Sequence, residues 1–418
     1  MTEIKDREKQ YADGSGRGEA TGYKVNFPAR MFRYTEEEIE LVGEVMRNAD
    51  SLTQGKYQQQ FERDVSEYTG ARHSFAVDNC TNALRLAAIL CGLKPGDEVI
   101  IPAYTFCATA IPFANTGARI VWADIDPATR VVSPEDVASK VTARTRVIVA
   151  VHLLGMPVDM DPILEIAVRH NLKVVEDCAQ APGAAYKGRK VGSMGDFGCF
   201  SFHAAKNITT LGEGGALTVR SDEDARHVPG LRHNGIHPFT GERLRYWLPA
   251  MTNVDVDLEG VWPNNFCLGE VQCALGSALL KRLDSMNQTL RNQAAWFRDR
   301  LSGCAEITFQ HVPGQHFHVY HALVLSFDGS ANGKTRDDFM DLMTAEFGIR
   351  MIVQYYPLYR YPLFQKMGLR EADCPNLDRY WPTSCSFPWW TGMSDDTMEY
   401  LAGSALAAAG KLRRAAAA

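Results

Sequence analysis

At 418 residues, with 45% hydrophobic and 22% charged side chains, the chain is a globular sequence long enough for one or two domains. Its 44 Lys and Arg against 50 Asp and Glu give a formal charge of -6, which argues against a nucleic-acid or anionic-membrane partner, both of which need a basic face. The opening MTEIKDREKQ is charged throughout and is no secretory signal, and the ten cysteines form no CxxC pair, so reduced thiols and a cytoplasmic location are expected.

Residues 1–26 are polar and glycine-rich (DGSGRGEATG) and are expected to be a flexible extension. Thr35 and Glu38 then form a capping box, with Ile39, Val42 and Met46 on one helical face. Tyr57, Phe61, Val65 and Tyr68 mark a second helix. After it, short apolar runs at 74–77, 98–102, 119–123, 147–151, 173–176, 199–202 and 216–219 alternate with amphipathic stretches such as 161–170. Several runs are continuous Val and Ile, as in strands buried on both faces. The stretch 99–118 holds no charge, but Pro102, Pro112, Tyr104 and Asn115 speak against a bilayer span; it reads as strand, turn and buried helix. The alternation predicts an α/β fold, a mostly parallel sheet flanked by helices, with ligands at the carboxyl ends of the strands.

Met286, Leu290, Ala294, Phe297 and Leu301 change the rhythm to one long helix linking two domains. A strand at 318–327, a helix at 336–347, a strand at 350–355 and a terminal helix near 394–410 make a smaller C-terminal α+β domain. The expected divisions are the extension 1–26, a large domain 27–285 and a small domain 286–418.

Four segments carry chemistry. In GDFGCFSFHAAKNITTLGEGGALTV (195–219) an apolar strand leads into Ser201, His203 and Lys206, then a glycine cluster. An amine beside apolar strands is either a surface lysine in a turn or one made nucleophilic by desolvation. In VVEDCAQAPGA (174–184), Asp177 and Gln180 follow a strand; Asp177 either caps the next helix or holds a pyridine nitrogen protonated. In VDNCTNALRLAAIL (77–90) a helix opens near Thr81, an ordinary cap or a phosphate site. PAYTFCAT (102–109) brings Tyr104 and Phe106 to a strand end, as core or as a stacking partner for a flat ring.

In this order the four segments resemble the DegT/StrS sugar aminotransferases, fold-type I enzymes that use pyridoxal phosphate. GDEVIIPAYTF, VHLLGMPVDMD and SFHAAKNITTLGEGG are especially similar to the family's strings, over roughly residues 30–400. The resemblance implies that Lys206 is the Schiff-base lysine and proton shuttle. It implies Asp177 for the pyridine nitrogen, Gln180 beside the phenolic oxygen, and Phe106 on the ring face. Cys80, Thr81 and Ser201 would hold the phosphate. Asn265 would reach the cofactor of a partner subunit, making a homodimer with shared active sites. The implied reaction passes an amino group from glutamate or glutamine to a keto-sugar, nucleotide-linked, in amino-sugar biosynthesis.

Some positions depart from the family. Cys80 stands where many members carry glycine, Cys267 where arginine is frequent, and Gln354 and Tyr359 where keto-sugar members have histidine. The cysteine at 267 is similar to that of aminotransferases acting on keto-cyclitols of the scyllo-inosose type, which makes that substrate an alternative. A non-catalytic descendant that binds pyridoxal phosphate or a sugar is opposed by Lys206, Asp177 and Gln180 together. A sugar dehydratase would carry histidine at 206. A dehydrogenase would need GxGxxG after a first strand, and GSGRG at 14–18 has the wrong spacing. His316, His318 and His321 read as a partly exposed sheet face, His203 as packing near the phosphate, and Asp159 and Asp161 as helix-start residues; no metal is expected.

Overall fold

The computed structural model describes residues 22–28, 30–236 and 254–415. Residues 1–21, with the GSGRG string and most of the expected extension, lie outside the described residues. Within that extension, the Lys24 N–H donates to the Gly348 carbonyl at 2.7 Å and Val25 bridges Ile349.

The capping box forms as the spacing predicts. Thr35 caps the helix Glu36–Asn48, its hydroxyl accepting from the Glu38 N–H while the Glu38 carboxylate accepts from the Thr35 N–H. The expected apolar face, however, turns outward: Ile39 is 52% and Met46 66% exposed, while Glu38 and Val45 are buried. Glu38 is drawn inward by Arg282 at 2.7 Å, and that ion pair fixes the helix's rotation. The next helix, Lys56–Thr69, buries Phe61 and Val65. Phe61 packs over Gly276, where an added Cβ would stand 2.6 Å from the ring.

Thirteen strands follow among the described residues: β1 (His73–Val77), β2 (Glu98–Pro102), β3 (Arg119–Ala123), β4 (Thr145–Val151), β5 (Lys173–Asp177), β6 (Ala185–Tyr186), β7 (Arg189–Lys190), β8 (Phe197–Ser201), β9 (Gly215–Val219), β10 (Ile307–Phe309), β11 (His316–Phe317), β12 (Val324–Phe327) and β13 (Ser384–Ser386). Seven form the central sheet in the order β1-β9-β8-β5-β4-β2-β3. The pairs β2–β3, β2–β4, β4–β5 and β5–β8 are parallel, and β9 runs antiparallel to both its neighbours. Ile100, Val149 and Val175 are fully buried, as the continuous apolar runs require of strands covered on both faces. The carboxyl ends of β2, β4, β5 and β8 share one edge, which gathers the segments 103–109, 152–155, 178–180 and 202–206.

The long helix is Glu270–Leu301, and position 285 falls within it. Beyond it, the antiparallel sheet β10-β12-β13 lies with the helices Arg336–Phe347 and Asp395–Ala415. The expected strand at 318–327 is broken. Its Val319 and His321 N–H groups donate to Gly155 and Leu154 instead of to a sheet neighbour, and only Val324–Phe327 joins the sheet. The expected strand at 350–355 is reduced to one bridge, Ile352 to Ser386, because the chain there turns toward the strand ends.

Two smaller expectations also change. His316 and His318 are buried rather than half exposed, and His318 stacks on Tyr320 with centroids 3.8 Å apart. Asp159 accepts from the Tyr186 hydroxyl, and Asp161 pairs with Lys187 and Arg189 at 2.6 and 2.8 Å, so both do more than open a helix.

Candidate active site

Asp177 is the last residue of β5 and is buried. One carboxylate oxygen accepts the Thr109 hydroxyl at 2.7 Å, and the other accepts the Ala179 N–H at 3.1 Å. Thr109 is itself paired with Thr105 at 2.9 Å. Burial raises the Asp177 carboxyl above the ordinary value, and the Thr109 and Ala179 hydrogen bonds pull the other way.

Lys206 follows β8 by one turn, its N–H on the His203 carbonyl at 2.9 Å. The amine's pKa is lowered by burial, against the opposing fields of Cys80 and Asp177. The Cys80 thiol is pushed well up by burial and by Asp177, with Lys206 pulling the other way. The structure therefore brings Cys80, Asp177 and Lys206 within electrostatic reach of one another. Next to the lysine, Asn207 is anchored: its amide donates to Asn287 at 3.0 Å and Val319 at 3.3 Å, and its oxygen meets His321 Nδ1 at 3.2 Å. Burial, with Lys206 beside it, drives the His321 pKa well down, so the ring is neutral and holds the lysine loop as a hydrogen-bonding group.

Asn79 caps the helix Cys80–Leu90, accepting from Asn82 N–H at 2.9 Å. The first N–H groups of such a helix have no acceptor inside it. Gly215, first residue of β9, pairs with Val77 on one side and Ser201 on the other. It thus sets Ser201 across one residue's width from the strand that feeds the Cys80 helix. A Cβ at 215 would come within 2.6 Å of the Asn79 backbone, so only glycine allows that approach. Cys80 and Ser201 are buried and Thr81 is exposed.

Gln180 is buried three residues after Asp177. Its Oε1 accepts the Leu154 N–H at 2.7 Å, and its Nε2 donates to the Tyr355 hydroxyl at 2.6 Å. Phe106 is 54% exposed, its ring 6.3 Å from that of Tyr355. Asn265 bridges His233, and its side chain accepts from the Cys267 N–H at 3.2 Å. His203 is exposed, its Nδ1 turned back onto the Ala205 N–H. Sequence reasoning missed Thr109, Asn207 and Tyr355. Thr109 had a signal, since Thr105 and Thr109 stand four apart in the segment already singled out.

One group of metal-ligand type, His152, Glu176 and Cys178, comes together among the described residues. Its ligand atoms are already engaged. His152 Nδ1 accepts the Val158 N–H and Nε2 meets Glu176, which also accepts from Gly192, Met194 and Gly195. The group is a buried strut for the 192–195 loop.

The residues fit pyridoxal phosphate. A buried carboxylate with one donor on each oxygen keeps lone pairs for a ring N–H, a desolvated amine lies within its field, and a helix start sits beside a buried serine. Comparison with known proteins agrees. The model of the DegT/DnrJ/EryC1/StrS aminotransferase family matches residues 33–405. The spore coat polysaccharide biosynthesis protein SpsC of Bacillus subtilis is 37% identical, over 87% of this chain and 92% of its own. The GDP-perosamine synthase of Caulobacter vibrioides is 35% identical over 78% of this chain and 84% of its own. Among solved structures, the aminotransferase TlmJ of Streptoalloteichus hindustanus superposes with a TM-score of 0.82 at 28% identity, covering 93% of this chain and 100% of that one.

Proposed function

The chain belongs to the DegT/DnrJ/EryC1/StrS aminotransferase family and is a pyridoxal-phosphate-dependent transaminase, and from that premise we propose that it aminates a nucleotide-linked keto-sugar with glutamate or glutamine as donor. The observation that carries the reading is the meeting of Asp177 and Lys206 at adjacent strand ends, each within the other's field. The relative named GDP-perosamine synthase supports the sugar and its nucleotide.

Pyridoxal phosphate, when bound, supplies the electron sink for carbanion chemistry. The chain's own residues bind, orient and move protons. Asp177, kept ionisable by the Thr109 and Ala179 donors, pairs with the ring N–H. Lys206, its amine rendered less basic by burial, would hold the cofactor and serve as the base that moves the proton. The helix start at Cys80 and Thr81, with Ser201, holds the phosphate. Phe106, 54% exposed, would stack on the cofactor, and Gln180 would stand beside its phenolic oxygen.

The active unit is a homodimer in which Asn265 serves the partner's site. The outward apolar side chains Ile39, Met46, Leu52 and Trp262, the last 87% exposed, support covering by a second copy. We divide the chain into a large domain of 27–285 and a small domain of 286–418, a boundary that falls within the helix Glu270–Leu301. No helix among the described residues is long and apolar enough to cross a membrane, and a cytoplasmic enzyme is the simplest reading of the free cysteines.

The test loads the protein with pyridoxal phosphate, converts it with glutamate or glutamine, and offers nucleotide-linked keto-sugars and scyllo-inosose in parallel. Amination of a nucleotide sugar supports the proposal. Turnover of scyllo-inosose alone favours the cyclitol alternative, to which the half-buried Cys267 points. A coloured protein that gives up no amino group to either acceptor favours the non-catalytic descendant.

A further inference from the structure

We propose that Tyr355 is a positioning residue for Gln180: with the amide's facing set by the Leu154 N–H, the Tyr355 hydroxyl holds its nitrogen end in place and so aims the remaining amide N–H at the phenolic oxygen of the bound cofactor. The inference rests on Gln180 standing beside that oxygen, as proposed above, and adds the device that orients it.

A glutamine amide has one accepting oxygen and two N–H donors, and its flip is decided by its partners. The Leu154 backbone N–H can only donate, so Gln180 Oε1 must face it, at 2.7 Å. Nε2 then faces the Tyr355 hydroxyl at 2.6 Å, which uses one of its two hydrogens. The second hydrogen remains for a ligand. Without the phenol oxygen, nothing at that end would hold the amide.

Both partners are themselves fixed. Leu154 sits in the left-handed region, at φ 60° and ψ 7°, a conformation that leucine adopts only under constraint. The constraint comes from residues 319–321, since Val319 and His321 donate to Gly155 and Leu154 at 3.0 and 2.9 Å. A Cβ at Gly155 would lie 2.9 Å from Val319 and 3.0 Å from the Tyr320 and His321 nitrogens. On the other side, the Tyr355 ring meets Tyr104 edge-on at 6.1 Å, and Trp381 Nε1 donates to the Tyr355 carbonyl at 2.8 Å. Neither contact uses the hydroxyl. Burial raises the phenol's pKa, so the group stays a neutral hydrogen-bonding partner.

A donor on the phenolic oxygen stabilises its negative charge and weakens that oxygen's hold on the proton of the neighbouring lysine-linked nitrogen. Losing the donor therefore raises the pH at which the cofactor's visible absorbance changes. One charge-assisted hydrogen bond corresponds to a rise of about one pH unit. The experiment titrates the visible spectrum of cofactor-loaded wild type, Tyr355→Phe, Gln180→Leu and the double variant. The expected result is a rise of about one unit in Tyr355→Phe and no further rise when Tyr355→Phe is added to Gln180→Leu.

Gln180→Glu is the second probe, because a carboxylate can still accept from Leu154 and from the phenol but has no N–H to give. It should raise the transition as well, whether or not Tyr355→Phe folds. An unchanged transition in Tyr355→Phe or Gln180→Glu overturns the proposal, as does an equal shift from Tyr355→Phe in the Gln180→Leu background. A wild type that pyridoxal phosphate does not colour removes the underlying reading and this one together. A coloured wild type whose variants titrate alike removes this one alone.

Discussion

Thr109→Val removes the hydroxyl that Asp177 accepts at 2.7 Å and leaves a side chain of nearly the same shape. The carboxylate is buried and keeps only the Ala179 N–H, at 3.1 Å, as a described donor. A hydrogen bond to a charged group contributes about 1.5–3 kcal/mol, which equals roughly one to two pKa units at 1.36 kcal/mol each. Burial already holds the Asp177 carboxyl above its ordinary 3.8, and the substitution moves it further up.

The sign of the consequence follows from linkage. A carboxyl whose folded pKa lies above its unfolded value favours folding while protonated, and that contribution is lost as pH rises through the folded pKa. Cofactor binding needs the ionised form, so the variant should bind pyridoxal phosphate more weakly, and the pH at which affinity falls on acidification should lie roughly one to two units higher than in the wild type. Affinity should recover as pH is raised. The assay is a spectral titration with pyridoxal phosphate at several pH values, beside thermal melts of apo and loaded protein. Wild-type affinity with an unshifted pH dependence would refute the claim that Thr109 keeps Asp177 ionisable.

Glu176 is raised by burial, but His152 and the Gly195 and Gly192 N–H groups outweigh this and leave its pKa below the usual 4.5. Its stabilisation is therefore present above that value and lost as pH falls through the lowered folded pKa, and Glu176→Gln should flatten this acid limb in denaturant titrations. Because the glutamine cannot accept all four donors, the variant should also lose about 3–5 kcal/mol of stability near neutrality. An unchanged acid limb with full stability would show that the strut carries nothing. Ile39→Glu with Met46→Glu places charge on the outward face of the helix Glu36–Asn48 and should shift the sedimenting species from dimer to monomer. A variant that sediments as wild type removes that face from the interface.

Much of the architecture was legible because periodicity reports burial. The Val and Ile runs located the central strands to within a residue or two, and the helix Arg336–Phe347 stands where the pattern put it. Asp177 and Lys206 stood out as charged groups where apolar strands end. What the pattern could not carry was long-range pairing. Glu38 turns inward because Arg282, 244 positions away, meets it. Residues 319–321 leave their strand because the turn at 153–155 takes their N–H groups. Tyr355 reaches Gln180 across 175 positions, and nothing local distinguishes it from the tyrosines beside it.

Borohydride reduction of the protein loaded with pyridoxal phosphate, followed by peptide mass mapping, reads the site directly. The account predicts that the cofactor becomes fixed to the peptide carrying Lys206, and that Lys206→Ala takes up no label while still binding pyridoxamine phosphate. Label on another lysine, or equal labelling of Lys206→Ala, would contradict it.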